Sequence, residues 1–175
     1  MRRTVQGIVL REINYKEADK ILTVLTREEG KLTLKARGCR RKNSRLLASS
    51  QLLVYSELAI TQRGEFITLA EGDPLTQFRR LGEDIDKLAL ASYFAEVTEK
   101  TVQEGEVCPD ILSLLLNCLY ALDTLDKPLE QVKAVFQLRL LTLTGLAPLL
   151  DACVVCGNPQ PAEPRLHLLQ GVLHC

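Results

Sequence analysis

Hydrophobic and polar residues alternate along the first part of the chain, as they do on half-buried strands. Five short segments that are rich in apolar and β-branched residues precede residue 76, and turn-forming residues separate them. The segments are 4–11, 21–26, 31–37, 52–60 and 66–70. Because no helical crossover lies between them, they predict a small, mostly antiparallel barrel or sandwich.

The hydrophobic period changes to that of a helix after Pro74. One helix is predicted within 82–102, a second, apolar nearly all round, within 109–122, and a third from Asp126-Lys127-Pro128 to Gly145. Strands followed by helices predict an α+β fold with segregated parts. The first stripe contains Ile85, Leu88, Ala91, Ala95 and Val102, and the third contains Leu129, Val132, Phe136, Leu140 and Leu143.

The net charge is zero, but the charges are unevenly distributed along the chain. Residues 1–50 carry thirteen Lys and Arg against five Asp and Glu, whereas residues 51–175 carry nine against seventeen. Such a difference favours a polyanion-binding part joined to an acidic part, with chance clustering on solvated faces as the alternative.

The cations concentrate in one predicted strand and the loop after it. Alternation places Leu32, Leu34 and Ala36 inward, so the basic side chains share the outer face at a spacing of about 6.6 Å. A solvated loop is the alternative, but a continuous cationic track favours nucleic acid. The candidate DNA-binding residues are Lys31, Lys35, Arg37, Arg40, Arg41, Lys42 and Arg45.

Aromatic residues are scarce, which limits how bases can be bound. The chain has no Trp, four Tyr and four Phe; Tyr15 and Tyr55 are candidate stacking platforms, but they could equally belong to the core. A site with few aromatic rings depends on phosphate contacts, so we expect sequence-tolerant and strongly salt-dependent binding.

Three cysteines near the end of the sequence have the spacing of zinc ligands. Cys153 and Cys156 form a CxxC followed by Gly157, and Cys175 follows after the interval of a zinc ribbon. The fourth ligand of a ribbon would fall three residues later, so we expect the sequence to be cut short; His167 is a conceivable substitute. The alternative, a redox CxxC, would require a βαβ context.

No catalytic motif is present. The GxxxxGK[ST], GxSxG and HExxH patterns are missing, and both histidines lie in the last nine residues. Glu83, Asp84 and Asp86 could suggest a metal-dependent nuclease, but acids at the start of a helix are better explained by the positive end of the helix dipole. The longest apolar segment, 111–122, is shorter than the about 20 residues of a membrane span. We therefore expect a soluble protein that is not an enzyme.

Several sequence features occur in a characteristic order over almost the whole chain. They are Gly7-Ile8-Val9-Leu10, Tyr15-Lys16-Glu17-Ala18-Asp19-Lys20-Ile21-Leu22, 26–30 leading to Lys35-Ala36-Arg37-Gly38, Ala91-Ser92-Tyr93-Phe94-Ala95-Glu96, Leu146-Ala147-Pro148, Cys153-Val154-Val155-Cys156-Gly157 and Gly171-Val172-Leu173-His174-Cys175. In this order they resemble the RecO family of bacterial DNA repair proteins. Members of that family usually continue past residue 175, and some lack the cysteine knuckle.

The resemblance implies a five-stranded OB-fold barrel over 1–78 and a helical domain over 79–175, with a zinc knuckle at 153–175. It implies that the protein binds and anneals single-stranded DNA and helps RecA replace single-strand-binding protein, together with RecR. Double-stranded DNA is a further expected partner, a membrane is not, and the location would be the bacterial cytoplasm, near the nucleoid. DNA binding transfers only to Lys35, Arg37 and the loop cations.

Two other functions fit the residues. An OB-fold with a zinc ribbon also suits an RNA-binding module, and RNA would be distinguished through its 2′-hydroxyl. A protein-interaction module is the second alternative, in which the helices hold a partner and the cations are incidental.

Overall fold

The structure, a computed structural model, describes residues 1–125 and 127–175, and its first five strands close into a barrel. The chain divides into two compact units, Met1–Lys133 and Ala134–Cys175, and each is described by itself. The barrel strands are β1 (Arg2–Tyr15), β2 (Asp19–Thr26), β3 (Gly30–Ala36), β4 (Tyr55–Arg63) and β5 (Phe66–Thr76). The helices are α1 (Ile85–Thr101), α2 (Pro109–Thr124) and α3 (Leu129–Leu143), and a short 3-10 helix, Arg79–Glu83, precedes α1.

The strand order around the barrel is β1-β2-β3-β5-β4, and β4 returns to pair with β1. All pairs are antiparallel except β3 with β5, which run parallel from Leu34↔Ile67 to Ala36↔Leu69. A closed barrel leaves no exposed sheet edge. The predicted fold class, a five-stranded OB-fold barrel followed by helices and a cysteine cluster, is confirmed.

All five strands differ from their predicted bounds by a residue or more, and β1, β4 and β5 differ most; β5 continues to Thr76, six residues past its predicted end. β1 continues to Tyr15 because it pairs with β2 over Gly7–Tyr15 as well as with β4 over Arg2–Ile8, with a bulge between Val9 and Arg11. β4 begins at Tyr55 and not at residue 52, because Leu53 adopts a positive φ of 62° before the strand begins. Leu53 and Val54 are nevertheless buried, which explains the apolar character of this turn.

The barrel interior is filled by side chains that alternate inward along the strands. Leu22, Val24, Leu34, Ala36, Leu58 and Ile60 are all fully buried there. Each large aliphatic side chain contributes about 1.5–3 kcal/mol when it leaves water. Cys39, which follows β3 among cations, is also fully buried and behaves as a small hydrophobic residue.

Helix α1 begins with a side-chain cap and buries a face that differs partly from the predicted stripe. The Asp84 carboxylate accepts hydrogen bonds from the backbone N–H groups of Asp86 and Lys87, as expected for an acid at a helix start. Ala91 and Ala95 are buried as predicted. Ile85 is 77% exposed, so its place in the stripe is wrong: it is the first helical residue, next to the cap.

Helix α2 is the central apolar helix that the sequence predicts. Pro109 occupies its first turn, where a missing N–H costs nothing. Six of its side chains are buried. They are Ile111, Leu112, Leu115, Cys118, Leu119 and Leu122.

The segment between α1 and α2 lies against the start of β3. The Gly105 N–H donates to the Lys31 carbonyl, and a Cβ on Gly30 would lie 2.1 Å from the Glu106 carbonyl oxygen. Gly30 also has a φ of 70°, so this position requires glycine for two reasons.

Helix α3 buries Val132, Phe136 and Leu140, as predicted. Leu143 is 42% exposed in the last turn, so its predicted burial is wrong. Asp126, predicted at the start of this helix, lies outside the described residues. The helix ends before Gly145, whose φ is 76°.

The C-terminal unit also contains a small sheet that the sequence did not predict. It consists of β6 (Leu149–Cys153), β7 (Arg165–His167) and β8 (Val172–His174), in the order β6-β8-β7. β7 and β8 form an antiparallel hairpin, while β6 pairs parallel with β8. Of the helices described in 1–125 and 127–175, none has the length and apolar character that crossing a membrane demands.

Candidate nucleic-acid interface and metal centre

The predicted alternation of β3 is confirmed, but the structure separates Lys31 from the other strand cations. Leu34 and Ala36 are fully buried, and Leu32 packs against the barrel core. The Lys31 ammonium donates a 2.7 Å hydrogen bond to the Glu99 carbonyl near the end of α1. Lys31 therefore binds the helix, whereas Arg37 is exposed.

Lys35 lies between an aromatic ring and a carboxylate. Its Nζ is 4.6 Å from the centre of the Tyr15 ring and 3.5 Å from Asp19 Oδ2. The other Asp19 oxygen accepts a 2.8 Å hydrogen bond from the Gly38 N–H. That backbone hydrogen bond, and then Lys35, lower the pKa of Asp19, so the carboxylate is ionised and offsets part of the positive charge of Lys35.

The basic loop after β3 is anchored by its backbone to the β1–β2 turn. The Arg40 N–H donates to the Ala18 carbonyl at 3.0 Å, and the Arg40 guanidinium donates to the Glu17 carbonyl at 3.2 Å. A run of backbone turns continues through the loop. The loop therefore presents its cations from a fixed backbone.

The loop cations are exposed, and most lack an acidic partner. Across residues 1–125 and 127–175, no ion pair involves Arg37, Arg41, Lys42 or Arg45. Unpaired like charges that are held close together attract polyanions, because each bound phosphate relieves their mutual repulsion.

Two adjoining cavities form a groove over β3, β5 and the β4–β5 turn, which we call the barrel groove. The larger cavity, about 520 Å³, is lined by Tyr15, Lys35, Arg37 and Phe66 among others. The smaller, about 350 Å³, shares Arg37, Phe66 and Thr68 with it and adds Arg63. The barrel groove thus combines three cations and two aromatic rings, with Glu65 as the one acid among its lining residues.

Sequence reasoning missed Arg63 and Phe66. They face each other as register partners at the turn between β4 and β5, and this turn reaches β3 only through the parallel β3–β5 pair. Pairing between strands so far apart in the sequence leaves no local signal. Of the two predicted stacking residues, Tyr15 lines the groove, while Tyr55 does not and instead donates its hydroxyl to Gln6.

The three predicted metal ligands come together in the C-terminal unit. The sulfur atoms of Cys153, Cys156 and Cys175 all lie within 4.8 Å of one another, and those of Cys156 and Cys175 are 4.0 Å apart. Ligands about 2.3 Å from a tetrahedral zinc would be separated by about 3.8 Å. The three thiols are therefore close enough to bind one metal ion.

The backbone around the CxxC turn favours the thiolate form of Cys153. Hydrogen bonds from the N–H groups of Cys156 and Val155 lower the pKa of Cys153 to about 6. The Cys175 N–H also donates to the Cys153 sulfur, at 3.2 Å. Metal ions bind thiolates, so this donor set suits a metal site.

Neither histidine joins the cysteine cluster. The rings of His167 and His174 lie 5.6 Å apart, and His174 Nε2 is buried without a hydrogen-bond partner among the described residues. Within 1–125 and 127–175, the group of metal-ligating side chains contains only the three cysteines. The geometry therefore does not support the prediction that His167 takes the place of the fourth metal ligand.

Two family models cover most of the chain. The model for the recombination protein O N-terminal domain matches residues 1–78, and the model for its C-terminal domain matches residues 82–171. The first range includes the whole barrel, and the second includes the three helices and two of the three clustered cysteines.

Curated bacterial proteins named DNA repair protein RecO are similar to the chain. The protein from Acetivibrio thermocellus is 34% identical over 152 residues, covering 87% of this chain and 61% of the relative. The protein from Alkaliphilus metalliredigens is 32% identical over 170 residues, covering 97% and 69%. The chain thus spans about three fifths of the length of most of these relatives. With both family models matched and such relatives along nearly its full length, the chain belongs to the RecO family of recombination and DNA repair proteins.

Proposed function

We propose that the chain binds single-stranded DNA through its barrel and serves as a non-enzymatic mediator of DNA repair and recombination. The observation that carries the proposal is the set of exposed cations on the loop after β3 and in the barrel groove, most of them without an acidic partner among the described residues. The family to which the chain belongs supports a role in repair.

Phosphate neutralisation provides the mechanism. Two complementary strands repel each other through their backbones, and cations that bind these phosphates reduce the repulsion. The proposed contacts are made by Lys35, Arg37 and the loop cations, to which we add Arg63. Lys31 is hydrogen-bonded to α1, so it adds positive electrostatic potential to this surface but is not proposed to contact a phosphate.

The remaining functional proposals follow from the family rather than from the site. They are annealing of complementary strands, contacts with double-stranded DNA, RecR and single-strand-binding protein, and indirect assistance to the RecA filament in the bacterial cytoplasm. We also propose a domain boundary near residue 78, because β5 ends at Thr76 and the helical part begins soon after.

Zinc is the ion that we propose for Cys153, Cys156 and Cys175. Thiolates at this spacing after a CxxC turn are typical zinc ligands, and the lowered pKa of Cys153 favours the charged form that binds metal. The ion would supply a structural cross-link and no catalysis. The fourth ligand is not assigned.

A salt titration of oligonucleotide binding tests the DNA proposal. The double variant Arg37→Ala with Arg41→Ala should bind fluorescent oligo(dT) more weakly, and its log–log salt slope should flatten by about 0.7 for each lost phosphate contact. The matched control is Arg27→Ala with Arg79→Ala. It removes the same charge from exposed sites. Arg27 follows Thr26 at one end of the β2–β3 pair, whereas Arg37 follows Ala36 at the other end.

The outcomes separate the alternatives. Loss of affinity that is confined to Arg37→Ala with Arg41→Ala and is independent of base sequence supports the proposal. Equal losses in both variants would show that net charge alone matters, and an absence of binding at low salt would overturn the proposal. A preference for RNA of the same sequence would favour the RNA-binding alternative.

A further inference from the structure

Phe66 is a large aromatic residue held in solvent beside the cations of the barrel groove. It is 81% exposed at the start of β5, next to the tight turn in which Gly64 has a φ of 61°. Its register partner across the turn is Arg63. Single exposed apolar residues are common, so the surroundings of the ring must decide what it does.

Those surroundings match the parts of a single-strand binding site. Phe66 lines both cavities of the barrel groove, and Arg37 and Thr68 line them with it. In 1–125 and 127–175 no aromatic or cationic side chain stacks on the Phe66 ring. An exposed ring that lines the same cavity as Arg37 and Arg63 offers a base a stacking partner, and the two arginines offer the flanking phosphates positive charge.

Tyr15, the other aromatic ring of the groove, is not equally available. Lys35 and Lys16 place their ammonium groups 4.6 and 5.5 Å from the centre of its ring. A base that stacked on Tyr15 would compete with these cation–π contacts, whereas Phe66 has no such contact to lose. The structure therefore favours Phe66 as the stacking residue.

We infer that Phe66 stacks on an unpaired base of a strand whose adjacent phosphates contact Arg37 and Arg63. This inference rests on the proposed function and deepens it, because stacking requires an exposed base face that paired strands do not offer. Cations alone bind single and double strands. Phe66 would give the barrel groove its preference for single strands.

The test compares oligo(dT) with an oligonucleotide of the same length that has abasic sites. Phe66→Ala should weaken binding to oligo(dT) by about 5- to 150-fold, the range for losing one stacked base. It should leave the salt slope and the binding of the abasic strand unchanged, because the phosphate contacts remain. The matched control is Leu75→Ala, which removes a half-exposed apolar side chain from β5 outside the groove.

A second variant reports on stacking directly. The chain contains no Trp, so Phe66→Trp introduces a single indole at the proposed platform. Its fluorescence should be quenched when oligo(dT) is added and should stay unchanged with the abasic strand. Affinity for oligo(dT) should be retained or increased, because the indole offers a larger stacking surface.

The results distinguish this inference from the function on which it depends. If Phe66→Ala binds oligo(dT) normally while Arg37→Ala with Arg41→Ala does not, the DNA site stands and the stacking role is wrong. Equal losses on oligo(dT) and on the abasic strand would also overturn stacking. If the unaltered chain binds neither strand at low salt, the proposed function itself fails.

Discussion

The two compact units of this chain achieve order in different ways. The barrel has a continuous core of fully buried side chains on its strands, including Leu22, Leu34 and Ile60. In the described C-terminal unit, Ala134–Cys175, only Phe136, Leu140 and Cys153 are buried apolar residues. Many other apolar side chains there, such as Leu169 at 96%, are exposed.

This difference indicates what stabilises each unit. Burial of aliphatic side chains suffices for a closed barrel. A unit of some 40 residues cannot bury enough apolar surface by itself and usually requires a cross-link or a metal ion. In the C-terminal unit, the three converging thiols are close enough to bind such an ion.

Loss of the proposed metal ion should have the largest effect, and it should act on the C-terminal unit. Metal binding in structural zinc sites is worth about 10–16 kcal/mol in small peptides, so chelation or Cys153→Ser with Cys156→Ser should disorder the C-terminal sheet. Amide hydrogen exchange should then show β6 and β8 losing protection while β1 to β5 keep theirs.

The matched control for this experiment is Cys108→Ser, which changes a thiol outside the cluster. Its C-terminal sheet should keep its protection, and one metal ion per chain should remain bound. Unchanged exchange in the double cysteine variant would mean that the thiol cluster does not stabilise the unit.

A core substitution should have the next largest effect, and it should act on the barrel. Leu34→Ala empties a fully buried position and should lower the free energy of unfolding of the barrel by about 2–5 kcal/mol. Leu166→Ala in β7 makes the same chemical change at a 44% exposed site, where we expect a change within about 0.5 kcal/mol.

Denaturant unfolding, monitored separately for the two units by hydrogen exchange, measures both changes. Comparable losses of unfolding free energy in the two leucine variants would show that burial stabilises both units equally, and would contradict the difference between them.

The same contrast explains which parts of the fold could be predicted from the sequence. Strand alternation in 31–37 and the apolar faces of α2 and α3 are local patterns, and the structure confirms them. The short sheet formed by β6, β7 and β8 was missed because its strands have only three to five residues, which is too short for a periodic pattern to stand out.

The candidate sites show a similar division. The spacing of Cys153, Cys156 and Cys175 predicted a cluster that the structure brings together. The cations of β3 and its loop were also visible in the sequence. Arg63 and Phe66 could not be found because the parallel β3–β5 pair that brings them beside Arg37 joins segments separated by some thirty residues. The hydrogen bond from the Lys31 ammonium to the Glu99 carbonyl likewise depends on how α1 packs against the barrel, which the sequence does not show.

Neutralising Asp19 should have the smallest effect on stability, and it should act on the groove rather than on the fold. Asp19→Asn keeps an oxygen that can accept from the Gly38 N–H, but it removes the negative charge 3.5 Å from Lys35 Nζ. Lys35 would then neutralise a phosphate more fully, so oligo(dT) binding should strengthen and the salt slope should steepen by at most about 0.7.

The pH dependence of the Asp19 variant provides a second measurement. The pKa of Asp19 is lowered in the folded chain, so its ionised carboxylate stabilises the fold at pH values above the unfolded pKa of about 3.9, and this contribution is lost as the pH falls through the folded pKa. Asp19→Asn should therefore lower the melting temperature slightly at neutral pH, and its difference from the unaltered chain should vanish as the pH falls through the folded pKa of Asp19. A loss of stability as large as that of Leu34→Ala would show that the barrel depends on this charge as well as on its core. Burial alone would then no longer distinguish the barrel from a C-terminal unit stabilised by the proposed metal cross-link.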